Sequence, residues 1–331
     1  DVGAVNPDEY IRCLKERVKM AKKVVVTGGA GFIGSHLAEE LQNRGYYVIV
    51  LDDLSTGKRE NVDHFLKKDS VEFVEGNVTD LALLQTLFQE TEYVFHQAAL
   101  ARVPFSIENP LSANEVNITG TLDVLLAARD NKVKKVVFAS SSSIYGDTDV
   151  LPQHEAMLPN PLSPYALTKL AGEYYCSIFK SIFELNTICL RYFNVYGPGQ
   201  DPHSQYAMVI PAFINRVSSS TSPVIFGDGE QSRDFTFIQD VVSANIRAAE
   251  SNVNGVFNIG SGKNITINQL AELVIKLLQK DLRPIYDKPR LGDVKHTLAD
   301  VSKAKVFGYE PACSLEDGLR KIINDLCRKS R

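Results

Sequence analysis

The stretch TGGAGFIG at residues 27–34 decides how this chain is read. It follows the β-type run VVVT at 24–27 and opens a helix-period segment from about 32 to 44. Its glycines at 28, 31 and 34 permit a tight turn, close backbone approach to a pyrophosphate and close helix–strand packing. Asp52 closes a second apolar run, YYVIVLD at 46–52, at the distance beyond Gly34 where a carboxylate can accept both hydroxyls of an adenosine ribose. The same charge repels a 2′-phosphate, so NAD is the expected cofactor. Lys58 and Arg59 are read as a solvated loop, and they leave NADP as the alternative.

Outward from this turn the chain alternates strand-like and helix-like segments. VEFVEG (71–76), a helix around LALLQTLF, YVFH (93–96), a long helix over 110–131 and KKVVFAS (134–140) follow in order. Parallel strands need crossover connections, so this rhythm predicts an α/β fold: a doubly wound, Rossmann-like parallel sheet with helices on both faces. Ser163 as cap and Pro164 at the first helical position start a further helix running to about Phe183, before the apolar run TICLRY at 187–192, read as the last buried strand. Clusters of Gly, Pro and Ser at 197–204, 218–223 and 227–232 then mark a smaller, loop-bearing region, and the α/β rhythm resumes over 235–259. The expected division is an N-terminal extension (1–21), a cofactor domain (22–193 plus 235–259) and a smaller C-terminal α/β substrate domain (194–234 plus 260–331).

Composition excludes several classes. With 331 residues, 44% hydrophobic and 23% charged, the chain can bury a large core and is not a disordered segment. Its 36 Lys+Arg against 40 Asp+Glu give a net charge of −4, no electrostatic ground for a nucleic-acid or membrane partner. No apolar run approaches the roughly 18 residues of a bilayer span, and the N-terminus lacks a basic-plus-apolar leader pattern. Five cysteines (13, 176, 189, 313 and 327) form no CxxC pair, and the six histidines show no ligand spacing. No metal is expected, and a reducing cytoplasm is.

Two further constellations carry chemistry. In SPYALTK (163–169), Tyr165 and Lys169 stand one helical turn apart on one face. A tyrosine is a poor base at neutral pH, yet a lysine ammonium and a nicotinium ring nearby each favour its phenolate. In ASSSSIYG (139–146) the serines emerge at the carboxyl end of a buried strand, where α/β folds bind ligands, and can bond a substrate hydroxyl and relay its proton to the tyrosine.

Together with HQAAL (96–100), LRYFNVYGP (190–198), GDGEQSRDFTFIQDVV (227–242) and RLGDVKHTLAD (290–300), these motifs resemble the extended short-chain dehydrogenase/reductase superfamily and, within it, the NAD-dependent UDP-hexose 4-epimerases. The likeness spans residues 22–325 and is strongest to the subgroup acting on UDP-N-acetylglucosamine or its uronic acid. It implies that Gly28, Gly31, Phe32, Ile33, Asp52, Asp53, Ser55, Thr56 and Gly57 hold the adenosine and pyrophosphate of NAD, with Asn77 and Val78 at the adenine. Gln97, Ala98 and Ala99 would line the cofactor, and Tyr165 and Lys169 would meet the nicotinamide ribose. Where several epimerases carry a cofactor-contacting Lys after this run, this chain has Ala101. The UDP-sugar would meet Ser142, Ser143, Asn194, Arg233, Arg290 and Asp293, and Thr297 would stand at the position that gates sugar size. A small residue there leaves room for a 2-N-acetyl group.

The implied reaction is transient oxidation at C4. Ser141 relays the hydroxyl proton to Tyr165, NAD takes the hydride, and the 4-keto sugar turns over before the hydride returns to its other face. Related dehydratases carry an Asp–Glu pair where Ser142 and Ser143 stand, and decarboxylases carry Glu at the second, so both rank below the epimerases. An epimerase or decarboxylase for UDP-glucuronate or UDP-N-acetylglucosaminuronate is the alternative enzyme, and a non-catalytic NAD(P) sensor the alternative from another class. A homodimer through the helix at 110–131 and the one starting at Ser163 is the family expectation.

Overall fold

The computed structural model describes residues 21–200, 209–289 and 294–329. Most of the extension read at 1–21 therefore lies outside the described residues, as do Arg290 and Asp293.

The glycine turn joins strand β1 (Lys23–Thr27) to helix α1 (Phe32–Asn43), and the chain then returns as β2 (Tyr47–Asp52) and β3 (Val71–Glu75). After α2 (Leu81–Leu87) it crosses to β4 (Thr91–His96), passes α3 (Val103–Glu108), α4 (Pro110–Asn114) and α5 (Gly120–Asp130), and enters β5 (Lys135–Ser141). Helix α6 (Pro164–Phe183) starts as expected, with Ser163 Oγ accepting the Ala166 N–H and Pro164 in the first turn, and β6 (Thr187–Tyr192) follows. Short pieces come next: β7 (Val195–Tyr196), α7 (Val209–Ser218), β8 (Val224–Phe226), β9 (Ser232–Arg233) and β10 (Thr236–Phe237). Helix α8 (Ile238–Glu250) and β11 (Gly255–Ile259) return to the main sheet, and β12 (Ile265–Thr266), α9 (Ile267–Leu277), β13 (Ile285–Asp287) and α10 (Leu315–Lys329) complete the order.

The main sheet has seven strands in the order β3-β2-β1-β4-β5-β6-β11, and every pairing is parallel. TICLRY is thus followed by one more strand, β11, on the outer edge. Strand order reverses between β1 and β4, and a crevice opens at such a switch point beyond the carboxyl ends of the strands. Because both faces are covered, the strands read as continuous apolar runs and their side chains divide by parity. Val24, Val26, Val48 and Val50 pack with Leu37 of α1 and Ile246 of α8, while Val25, Ile49, Val94 and Phe138 pack with Leu125 of α5 and Cys176 of α6.

The helix read as continuous over 110–131 is interrupted. Residues Glu115–Thr119 form a π turn between α4 and α5, which shifts the helical phase. Its buried Asn117 accepts the Leu100 N–H (2.8 Å) and donates to the Leu100 carbonyl (3.2 Å) and to Thr168 Oγ1 (3.0 Å). The π turn therefore braces the loop after β4 against α6.

Candidate active site

Gly28, at φ +65°, sits so close to the next strand's loop that a Cβ there would lie 2.6 Å from the Ala98 nitrogen. A Cβ on Gly34 would lie 2.1 Å from the Gly28 carbonyl, so α1 begins as near β1 as backbone allows. Gly31 caps α1 without a side-chain bond, and no acidic residue occupies the first turn, so the N–H groups and dipole of a twelve-residue helix face the crevice uncompensated. That is an anion cradle. At its far side Asp52 accepts the Ala30 N–H and the Leu54 N–H, each at 2.9 Å. Burial raises its pKa while these bonds oppose the rise. Gly57 is held against this carboxylate, since a Cβ there would lie 2.6 Å from Asp52 Oδ1. Asp53 accepts from Ser55 and, through its second oxygen, from Asn77 Nδ2 at 3.0 Å.

A cavity of about 760 Å³ runs from this cradle across the switch point. Gly28, Gly31, Phe32, Ile33, Asp52, Asp53, Ser55, Thr56, Val78, Gln97, Ala98, Ala99, Tyr165 and Lys169 all line it. Asn77 and Gly57 stand just behind, through Asp53 and Asp52.

At the other end β5 delivers its serines. Ser140 Oγ donates to Glu173 Oε1 at 2.5 Å, and Glu173 forms a buried bidentate pair with Arg191 (2.8 and 2.7 Å). Ser140 is therefore occupied with structure. Ser141 is the residue left to face the tyrosine; its Oγ accepts the Ser143 N–H (3.1 Å) and the Ser143 hydroxyl (2.9 Å). Across from it, the Tyr165 N–H donates to Ser106 Oγ at 3.1 Å, which fixes the start of α6 against α3. Lys169 Nζ donates to the Ala139 carbonyl at 2.7 Å and lies 5.9 Å from the Tyr165 ring centre.

The electrostatics depart from the sequence reading in one respect. Burial raises the Tyr165 pKa and a bond with Ser141 lowers it, whereas the Lys169 ammonium does not figure among the causes. Lys169 is itself pushed down to about 8 by burial. A desolvated ammonium committed to a carbonyl is a weaker phenolate stabiliser than the i, i+4 spacing alone suggests.

Asn194, Arg233 and Thr297 form a second cluster; none of the three is among the residues lining the cavity, although Val195, next to Asn194 in the chain, is. Asn194 Nδ2 donates to the Asp234 carbonyl (3.0 Å) and to Thr297 Oγ1 (3.1 Å), and Thr297 Oγ1 also accepts the Asp234 N–H (3.1 Å). Arg233 Nη1 donates to the Ser232 and Lys295 carbonyls. The Asp234 carboxylate, wholly buried, takes N–H groups from Ser261, Gly262 and Ala299 and so ties this cluster to the end of β11. Ser142 and Ser143 lie in the short 3₁₀ turn between the two clusters in sequence, half-buried. Several cavity-lining residues escaped the sequence reading, Tyr192 and Arg102 among them. Tyr192, whose hydroxyl contacts Gln97 and Asn245, stood inside a quoted motif, while Arg102 sits in a loop without periodic signal. Among the described residues no group of His, Cys, Asp or Glu is arranged to hold a metal, and no helix is long and apolar enough to cross a membrane.

Residues 24–260 match the NAD dependent epimerase/dehydratase family. A putative UDP-glucose 4-epimerase of Methanocaldococcus jannaschii is 39% identical over 93% of this chain and 99% of its own. Among solved structures, a UDP-N-acetylglucosamine 4-epimerase from Methanobrevibacter ruminantium, in complex with UDP-N-acetylmuramic acid, superposes with a TM-score of 0.90 at 42% identity, covering 93% of this chain and 99% of that one. A Thermus thermophilus UDP-glucose 4-epimerase in complex with NAD gives 0.84 at 36% identity, covering 92% and 99%. The chain belongs to the NAD dependent epimerase/dehydratase family. It is an NAD-dependent enzyme of the UDP-hexose epimerase kind, an isomerase, built on the Rossmann-like fold of the short-chain dehydrogenase/reductases.

Proposed function

We propose that this UDP-sugar 4-epimerase interconverts UDP-N-acetylglucosamine and UDP-N-acetylgalactosamine and also takes the UDP-glucose/UDP-galactose pair. The observation that carries the reading is that Tyr165, with Ser141 bonded to it, stands with Lys169 at one end of a cavity whose other end is the Gly28 cradle and Asp52. Serine at both 142 and 143 supports epimerisation, because eliminating water or promoting decarboxylation calls for a carboxylate there and neither position carries one.

In this proposal the glycine turn and the N-terminus of α1 hold the NAD pyrophosphate, Asp52 holds the adenosine ribose, and Tyr165 and Lys169 meet the nicotinamide ribose. The bound cofactor supplies reversible hydride acceptance at C4. Ser141 accepts the C4 hydroxyl proton as it passes its own to the Tyr165 phenolate; the steps reverse when the keto carbonyl is reduced on its other face. Lys169 holds the end of β5 through Ala139, which keeps Ser141 and Tyr165 in register. Arg233 and Asn194, with Arg290 and Asp293, are assigned to the UDP side, and Ser142 and Ser143 to the hexose. Thr297 is assigned to the 2-substituent, where a small side chain leaves space. The cofactor role of 22–193 plus 235–259 and the substrate role of the rest belong to the same proposal.

A homodimer fits the surface. Leu111 on α4 (85% exposed) and Leu167, Tyr174, Ile178 and Ile182 along α6 make an apolar stripe for a second copy to cover. Sedimentation at monomer mass would refute this. We place the enzyme in the cytoplasm, with the UDP-sugar as partner and neither nucleic acid nor membrane. Incubation with UDP-N-acetylglucosamine, UDP-glucose and UDP-glucuronate in turn, with products resolved by chromatography, tests the function: the 4-epimer of the first is expected, and no epimer from any of them would overturn the reading.

A further inference from the structure

We propose that Asn245, on α8 behind the cavity wall, is a positioning residue for the cofactor: it locks Gln97 and Tyr192 into one arrangement and thereby sets how tightly NAD is held. Gln97 and Tyr192 both line the cavity, whereas Asn245 does not. Gln97 stands against the glycine turn, for its backbone N–H donates to the Thr27 carbonyl at 3.1 Å and a Cβ on Gly28 would lie 2.9 Å from its carbonyl carbon. Tyr192 stands at the catalytic end, paired in register with Ser141. The wholly buried Asn245 joins the two. Its Oδ1 accepts from Gln97 Nε2 at 3.1 Å and from the Tyr192 hydroxyl at 2.9 Å, and its Nδ2 donates to the Val241 carbonyl, one turn back on α8, at 2.8 Å. Because β4 and β6 flank β5 in the sheet, this clamp bridges the strand that delivers Ser141.

The direction of every bond in the clamp follows from one atom. The Val241 carbonyl can only accept, so the Asn245 nitrogen faces it and the Asn245 oxygen is the atom that meets Gln97 and Tyr192. An oxygen there calls for donors, so Gln97 presents Nε2 and Tyr192 its proton. Gln97 Oε1 is thereby left toward the same hydroxyl, at 3.3 Å. Burial pushes the Tyr192 pKa up, so the phenol keeps the proton that the clamp uses. The second Nε2–H of Gln97 has no partner among the described residues, so the wall offers a donor to a cofactor rich in oxygen acceptors. Two wall residues fixed in advance need not be ordered when NAD binds. Without the Asn245 oxygen, both donors lose their buried acceptor and the wall its single arrangement.

The test is equilibrium titration of NAD, with no sugar present, into wild type, Asn245→Leu, Asn245→Asp, the double variant Gln97→Met/Tyr192→Phe, and that double variant carrying Asn245→Leu as well. Circular dichroism confirms that each is folded. Asn245→Leu keeps a branched side chain but removes the acceptor, and should weaken NAD binding by about 5–100-fold, the range for ordering two freed side chains. Asn245→Asp retains an oxygen for both donors and should stay within about threefold of wild type. In the Gln97→Met/Tyr192→Phe background nothing is left to position, so the leucine should change NAD binding by less than about threefold. Equal losses from the leucine in the two backgrounds would overturn the proposal, since Asn245 would then act through the fold at large. So would an unchanged affinity in Asn245→Leu, or an aspartate as weak as the leucine. Should the leucine variant not fold, Asn245→Ala is read in the same way. Titration without a sugar keeps the outcome independent of which UDP-sugar pair the enzyme turns over.

Discussion

His96 should make this protein acid-sensitive in a defined window. It ends β4 beside the glycine turn, 1% exposed, with Nδ1 at 2.8 Å from Thr27 Oγ1 and Nε2 at 2.9 Å from Thr121 Oγ1. The Thr121 hydroxyl spends its proton on the Asn117 carbonyl at 2.6 Å, so it accepts from the ring. The proton therefore sits on Nε2, and Nδ1 accepts from Thr27. A second ring proton would displace the proton that Thr27 now donates and would add charge near Lys169; burial first and that charge second push the pKa down to about 3 from 6.5. With a folded pKa below the unfolded one, His96 contributes stability that is complete above pH 6.5 and is lost as pH falls toward 3. Each pH unit inside the window costs about 1.4 kcal/mol, hence about 2 kcal/mol at pH 5. Urea unfolding of wild type and His96→Gln at pH 7.5, 6 and 5 measures it. The variant has a lower stability throughout but a flatter fall with acid. Parallel curves would refute the argument.

Three other outcomes follow from the site. Asp52→Asn should narrow the preference for NAD over NADP, because the neutral amide no longer repels a 2′-phosphate; equilibrium titrations measure it, and tighter NADP binding by the unmodified protein would contradict it. Thr297→Tyr should lower kcat/KM for the N-acetyl pair more than for glucose and galactose, by filling the space assigned to the 2-substituent and removing the acceptor of Asn194 Nδ2; unchanged N-acetyl turnover would show that Thr297 is no gate. Glu173→Gln leaves Arg191 buried and unpaired, and should cost about 3–5 kcal/mol in denaturant unfolding; a loss below about 1 kcal/mol would show that the pair does not secure β5.

The parts of the site that could be read from sequence are those in which chemistry dictates local spacing. Gly28 and Gly34 had to be glycine because backbone stands where a Cβ would be, Ser163 and Pro164 announce a helix start in any context, and Tyr165 and Lys169 share a helix face by geometry alone. The π turn was invisible because one residue of slippage changes the phase of a helix without changing its composition. The strap carrying Thr297 is held by long-range contacts, the isolated bridges Gln153–Ala299 and Ser232–His296, which no local pattern encodes. The surroundings of Lys169 are hidden for a related reason: i, i+4 spacing shows that it is near Tyr165, but not that it is buried and donates to the Ala139 carbonyl. Serine identity at 140 and 141 is likewise ambiguous in sequence, and only the buried Glu173–Arg191 pair shows that the Ser140 hydroxyl is tied into structure.

The most direct test of the central claim is the turnover of UDP-N-acetylglucosamine by Tyr165→Phe beside the wild type, with circular dichroism and NAD binding measured on both. Loss of one phenolic oxygen leaves the backbone bond to Ser106 in place and removes the base, so the account requires epimer formation to fall by about 10²-fold or more in a folded, NAD-binding protein. Near-normal turnover by that protein would contradict it.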